Sequence, residues 1–237
     1  MPRMKHKHYK RELKHMEHEA TFRKVNRVFF PAYALICAAA AIYYGIKGDW
    51  YHCPLAIGAL LLPAAYMLLL RILGLARSSQ LDFIMVAFIL IAYPLGSVYE
   101  LFTYIPFYDK ICHTLSGVFT GLLALCLYLA LEPEHRVTAK NFPVAMLFVF
   151  FASMAVAGLW EIGEYILAPI IGRDLQHVLE TGVGDSMQDM IVHLAGTLVF
   201  LLSFRPLLKG RQGILTGGAE AFITKNAEKL NRHRKDA

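Results

Sequence analysis

Charge is scarce in this chain and soft sulfur chemistry is scarcer. Only 18% of the 237 residues are charged while 57% are hydrophobic, against roughly 25% and 45–50% in an ordinary soluble domain. A soluble globular enzyme is excluded on that ground. There are four cysteines, Cys37, Cys53, Cys112 and Cys126, with no C-x-x-C spacing, so a thiolate metal site or a redox pair has no motif to rest on. A Cys53–Cys112 bridge on an oxidising face is one reading, and free thiols acting as small hydrophobes are the favoured one. There is no Gly-rich phosphate loop, no H-E-x-x-H and no G-x-S-x-G, which removes the common nucleotide, metalloprotease and serine-hydrolase signatures. No internal repeat is visible, and an ordinary cleaved signal peptide is not expected, because the first apolar run starts only at Phe29.

What the chain does have is apolar blocks close to the ~20 residues that cross a hydrocarbon core about 30 Å thick. Six can be read, over Phe29 to Ile46, Pro54 to Leu73, Leu81 to Tyr99, Ile111 to Leu131, Phe142 to about Trp160, and about Met190 to Phe204. Pro94 and Gly96 predict a kink late in the third. The run Tyr165–Ile171, broken by Pro169, is too short to span and is read as a continuation of helix five or a re-entrant piece. The fold class is therefore all-α, a polytopic integral membrane protein with a six-helix transmembrane bundle. Residues 1–28 form a basic cytoplasmic segment, 29–208 the transmembrane domain, and 209–237 a basic cytoplasmic tail.

Seventeen of the 24 Lys and Arg lie in residues 1–28 and 205–237, flanking the membrane part and giving no nucleic-acid face. Placing both termini in the cytoplasm puts 21 basic residues inside and leaves Lys47, Lys110 and Arg173 outside, as the positive-inside rule requires. Trp50 and Trp160 then fall at the outer interface. The predicted location is the inner membrane of the cell, with several passes. His6, His8, His15 and His18 in the basic segment read as part of a solvated stretch facing anionic lipid rather than as a metal site. Residues 219–235, with Phe222, Ile223 and Leu230 among lysines and arginines, predict an amphipathic helix lying on the inner leaflet.

The informative pattern is acidic. Nine carboxylates fall on the outer half, and seven ionisable groups cluster at the outer ends of helices four, five and six. Asp109 and His113 are four apart, Glu161 and Glu164 three apart, and Asp185, Asp189 and His193 follow at intervals of four, each set on one helical face. Buried carboxylates are costly at membrane depth and face a bundle interior or a water-filled cavity. Alone, Asp109 or Asp185 reads equally well as a helix-start acid, and either histidine as a packing residue. Gly117, Gly121, Gly158, Gly163 and Gly196 would let these helices approach closely.

Facing carboxylates and imidazoles are how helical bundles hold metals, and this donor set suits a divalent ion, zinc, manganese or iron. The reading that follows is a metal-dependent hydrolase or transferase acting on a membrane lipid or lipid-linked substrate. Its ligands would be His113, Glu161, Asp185, Asp189 and His193, and its catalytic groups Glu164 and Asp109, with Lys110 meeting a phosphate. The alternative is a non-enzymatic cation or proton carrier, or an envelope-stress or antibiotic-resistance binding protein, using the same acids.

The strings Tyr108-Asp109-Lys110-x-x-His113, Trp160-Glu161-x-x-Glu164 and Gly184-Asp185-Ser186-x-x-Asp189-Met190 resemble the recurring motifs of YjdF-type inner-membrane proteins. The first and last are distantly similar to VanZ-like membrane proteins, named for a teicoplanin-resistance protein. The likeness covers about residues 80–205 and departs in the last motif, where Met187 and Gln188 stand in place of an aromatic residue. It implies a helical membrane protein of bacterial type.

Overall fold

A computed structural model describes residues 2–176, 178–208 and 213–235, with side chains over 16–176, 178–208, 213 and 215–231. His6, His8 and His15 lie outside the described side chains, and no metal-ligand group among the described residues includes His18. The described chain is helical, and six of its helices are long and apolar enough to cross a membrane: Met16–Lys47, His52–Ile72, Ser79–Val98, Tyr108–Leu131, Phe142–Ile171 and Gly184–Leu208. It is an integral membrane protein of the all-α class. The helices divide into two compact units, one of residues 1–101 with 220–237 and the other of residues 102–219.

In the first unit, α1 (Pro2–Lys47) runs unbroken from the basic segment through Pro31 into the first span, with no glycine before Gly45. It packs on α2 (His52–Ile72) and α3 (Ser79–Leu90). Tyr33, Cys37, Ala59 and Val86 form the buried centre, with Phe29, Phe30 and Tyr93 against it. The Tyr33 hydroxyl, which would be costly to bury unpaired, donates to the Ala59 carbonyl at 2.6 Å.

The kink expected at Pro94 is a π-helical continuation of α3 over Ile91–Val98. Proline has no N–H and its ring clashes with the preceding turn. The ladder shifts to five-residue spacing, and Tyr99 N–H donates to the Pro94 carbonyl at 2.8 Å. Ahead of α2, Asp49 accepts from the backbone N–H groups of Tyr51 and His52 and pairs with His52 Nδ1 at 2.7 Å. The His52 backbone N–H, then its ring, holds the Asp49 carboxyl below its ordinary range.

The C-terminal helix α10 (Ile214–Lys235) departs from the expected leaflet-bound helix. From Glu220 onward it docks on the α2–α3 connection within the first unit. Ala221, Phe222, Ile223 and Asn226 are buried. The Asn226 amide accepts from Ala76 N–H at 2.6 Å and donates to the Ala76 carbonyl at 3.0 Å. Lys225 reaches Glu19 at 2.6 Å, and Lys229 Nζ donates to the Leu73 carbonyl. An apolar face beside an asparagine that copies backbone pairing is satisfied better by protein than by lipid headgroups.

The second unit holds α4 (Leu101–Tyr104), α5 (Tyr108–Leu131), α6 (Phe142–Ile171), α7 (Val178–Thr181), α8 (Gly184–Leu202) and α9 (Phe204–Leu208). α4 begins at the unit boundary. α5 lies along α8, and both pack on α6. α6 continues through Pro169 and ends at Gly172, whose φ of 71° is the left-handed conformation that closes a helix cheaply only for glycine. The Tyr165–Ile171 run is thus a continuation of helix five.

α8 begins at Gly184, about six residues before the predicted start near Met190. All four cysteines are free thiols, so the Cys53–Cys112 bridge is not formed.

The glycines behave unequally. A Cβ on Gly117 would strike the His193 carbonyl, one on Gly196 the Thr114 carbonyl, and one on Gly121 would lie 2.6 Å from the Phe200 ring. α5 and α8 therefore cross backbone to backbone. Gly158 and Gly163 have nothing within 4 Å, so the close approach expected of them does not occur; on the long α6 they face open space.

Candidate functional site

The close crossing decides which ionisable groups meet. α5 opens after Phe107, held at φ 62°, and its first turn carries Asp109 and Lys110. The first two turns of α8 carry Asp185 and Asp189. Lys110 Nζ donates to Asp185 Oδ1 at 2.6 Å, to Asp189 Oδ1 at 2.7 Å and to Asp109 Oδ2 at 3.3 Å. His113, one turn further along α5, places Nε2 3.5 Å from Asp109 Oδ1 and 3.8 Å from Asp189 Oδ1. Asp189 is 2% exposed, which an ionised carboxylate tolerates only with a cation against it.

Three carboxylates around one ammonium leave an excess of negative charge at the mouth of the unit. Glu164 stands nearby on α6: its carboxyl accepts from Trp160 Nε1 at 3.0 Å and lies within electrostatic reach of His113 and Asp109. Asp109, His113 and Asp189 each offer one ligand atom, and the three atoms lie within 4.8 Å of one another. A tetrahedral ion with donors at 2.0–2.2 Å needs them roughly 3.4 Å apart, so closing the set takes movements of up to about 1.4 Å. Two carboxylates and an imidazole suit zinc, manganese or iron by donor chemistry.

Two sequence candidates take other partners. Glu161 is buried on α6, and Gln176, in the loop before α7, donates to both its carbonyl and its Oε2 at 3.1 Å. His193 sits deeper on α8, 2% exposed. Its Nδ1 pairs with Ser116 Oγ at 2.8 Å, and its Nε2 lies 3.1 Å from Ser153 Oγ and 3.3 Å from Thr120 Oγ1. Ser153 Oγ continues to Thr197 Oγ1 at 2.8 Å and to Thr120 Oγ1 at 2.6 Å. Neither residue belongs to the ligand group of Asp109, His113 and Asp189. His193 instead centres a ladder of hydroxyls below the carboxylates.

Sequence reasoning passed over this ladder, although a signal existed. Thr197 extends the four-residue series of Asp185, Asp189 and His193, and Ser116 and Thr120 follow His113 on one face of α5. The signal was weak because hydroxyls in membrane helices often bond to their own backbone, as Thr120 also does to the Ser116 carbonyl at 2.8 Å.

The family model described as "Predicted membrane protein (DUF2238)" matches residues 29–210, which takes in the first span from Phe29, the other five spans entire and every residue of the cluster. The chain belongs to that family. No curated protein and no solved structure is significantly similar to it. Membership agrees with the membrane architecture and leaves the chemistry of the cluster to be argued from its geometry.

Proposed function

We propose that the second unit carries a metal-assisted hydrolase or transferase centre acting on a lipid-linked envelope substrate at the outer leaflet. The supporting observation is the gathering of Asp109, His113 and Asp189 into one group by helices far apart in sequence, with Lys110 paired to both carboxylates. In this reading Asp109, His113 and Asp189 hold the divalent ion, and Asp185 joins when Lys110 turns away. The ion's contribution when bound is to lower the pKa of a water toward neutrality. Glu164 is placed to take a proton, and Lys110 is the cation nearest to meet a phosphate oxygen of the substrate. Glu161 and His193, nominated as ligands by spacing, become supports: Glu161 ties the α6–α7 loop and His193 the helix contact below. The YjdF-type and VanZ-like motifs are consistent with an envelope setting.

The test is elemental analysis of protein purified without chelators, followed by assay of phosphorylated and acylated envelope lipids. About one zinc, manganese or iron per chain is expected, lost in Asp189→Asn and in Asp109→Asn while both variants still fold. Binding should weaken as pH falls, because the ligands must be deprotonated to coordinate. Folded parent protein without metal would end this reading.

The ladder of Ser116, His193, Thr120, Ser153 and Thr197 favours a second reading, a proton or cation carrier, since it extends polar contacts inward from the carboxylates. Cation flux into proteoliposomes without lipid turnover would select it.

For orientation we propose an inner-membrane protein with both termini in the cytoplasm, on the asymmetry of 21 basic residues against three. Single cysteines placed at Lys5, Leu179 and Asn231 in a Cys53→Ser background are expected to react with a membrane-impermeant reagent in intact cells only at position 179. Labelling at either tail would reverse the orientation.

A further inference from the structure

In the first unit, at the end of the bundle where α1 enters its apolar run, an open cavity of about 360 Å³ is lined by Arg23, Asn26, Arg27, Phe30, Arg77, Ser79 and Asp82. That volume is at the small end of the roughly 300–1,000 Å³ of ligand clefts. Its charge is unbalanced. Asp82 is already neutralised: Arg77 donates to its Oδ2 at 3.0 Å from Nε and lies 2.8 Å away at Nη2, and the Tyr66 hydroxyl donates to its Oδ1 at 3.0 Å. Glu19, one turn before Arg23, is taken by Lys225 and by the Ser79 N–H. Arg23 and Arg27, one helical turn apart on α1, make no ion pair among the described residues and stand as the excess positive charge.

A polar group in the cavity wall is also incomplete. Asn26 Nδ2 donates to the Ser79 carbonyl at 2.8 Å, which fixes the amide orientation, since the reverse would set oxygen against oxygen. Its Oδ1 is then buried without a donor, a state that costs the desolvation of the group. An anionic ligand answers the excess charge of Arg23 and Arg27, which line the same cavity as Asn26.

We infer that this cavity binds the headgroup of an anionic phospholipid, with Arg23 and Arg27 on the phosphate. Guanidinium groups match phosphate oxygens with two parallel hydrogen bonds. The position selects a lipid over a soluble phosphate. Arg27 lies two residues before Phe29, where the apolar run begins, and Phe30 supplies an apolar wall where the headgroup gives way to acyl chain. The site lies in a different unit from the carboxylate cluster and does not depend on its chemistry.

The test is thermal unfolding of the delipidated full-length chain in detergent, with added phosphatidylglycerol, phosphatidylcholine or inorganic phosphate. A saturating ligand raises the melting temperature of a chain this size by about 5 °C or more, and that rise is expected with phosphatidylglycerol alone. The double variant Arg23→Gln with Arg27→Gln should lose it, whereas Arg71→Gln, a basic change elsewhere in the first unit, should keep it. The proposal is overturned if the double variant responds like the parent, if phosphatidylcholine matches phosphatidylglycerol, or if inorganic phosphate reproduces the shift, which would make the ligand a soluble phosphate. Should the glutamine pair not fold, native mass spectrometry of Arg23→Lys with Arg27→Lys takes its place. Fewer retained phosphatidylglycerol molecules than in the parent are expected, and equal retention overturns the proposal.

Discussion

Gly196→Ala is expected to lower the stability of the detergent-solubilised protein by about 3 kcal/mol, the upper part of the usual range for forcing extra atoms into a packed interior. The reason is the identity of the neighbour. The added Cβ would meet the Thr114 carbonyl and lie 3.3 Å from the Gly117 Cα, so backbone opposes backbone and no rotamer change relieves the clash. α5 and α8 would have to separate, and the distances from Lys110 to Asp185 and Asp189 would open with them. A melting curve compared with that of Gly158→Ala checks this. A Cβ at Gly158 meets nothing within 4 Å, and the change should be neutral or slightly stabilising through helix propensity. Equal behaviour of the two variants would refute the backbone crossing.

Lys110→Met is the second large effect. It leaves Asp109, Asp185 and the buried Asp189 without their ammonium, and breaking a buried pair by removing one partner typically costs about 3–5 kcal/mol. Because part of this cluster is open to solvent, the lower end, about 3 kcal/mol, is expected in metal-free protein. Two rescues distinguish charge imbalance from simple loss of packing. Millimolar manganese should restore most of the melting temperature by replacing one cation with another, and Lys110→Met with Asp185→Asn should be more stable than Lys110→Met alone. If neither rescue occurs, Lys110 contributes through its aliphatic stem and the carboxylates are not competing for charge.

The residues that converge were largely readable from spacing. Intervals of four placed Asp109 with His113 and Asp185 with Asp189, and the orientation argument placed these pairs at one depth. The roles within the set were less readable. Lys110 was read as a cation to meet a substrate phosphate and not as a partner of the carboxylates, yet it is the hub of the cluster, because its flexible stem can reach across the α5–α8 crossing. Glu161 shares a helical face with Glu164 but is drawn to Gln176, fifteen residues away in a loop whose path no periodicity describes. The glycines show the same limit. Five looked alike as small residues, and three of them lie at the crossing.

The amino-acid sequence by itself determined the class, the six spans, the basic flanks and the helical faces on which acids and histidines stand. These follow from local quantities, namely hydropathy over about 20 residues and the helical repeat of 3.6. Only the tertiary structure decided that α10 docks on the α2–α3 connection, that Pro94 is absorbed by π-helical turns, and that Asp189 meets Lys110 while His193 meets Ser116. Those outcomes depend on how closely two helices approach and at what register they cross. That is set by the summed packing of both partners, and neither strand of sequence carries it alone.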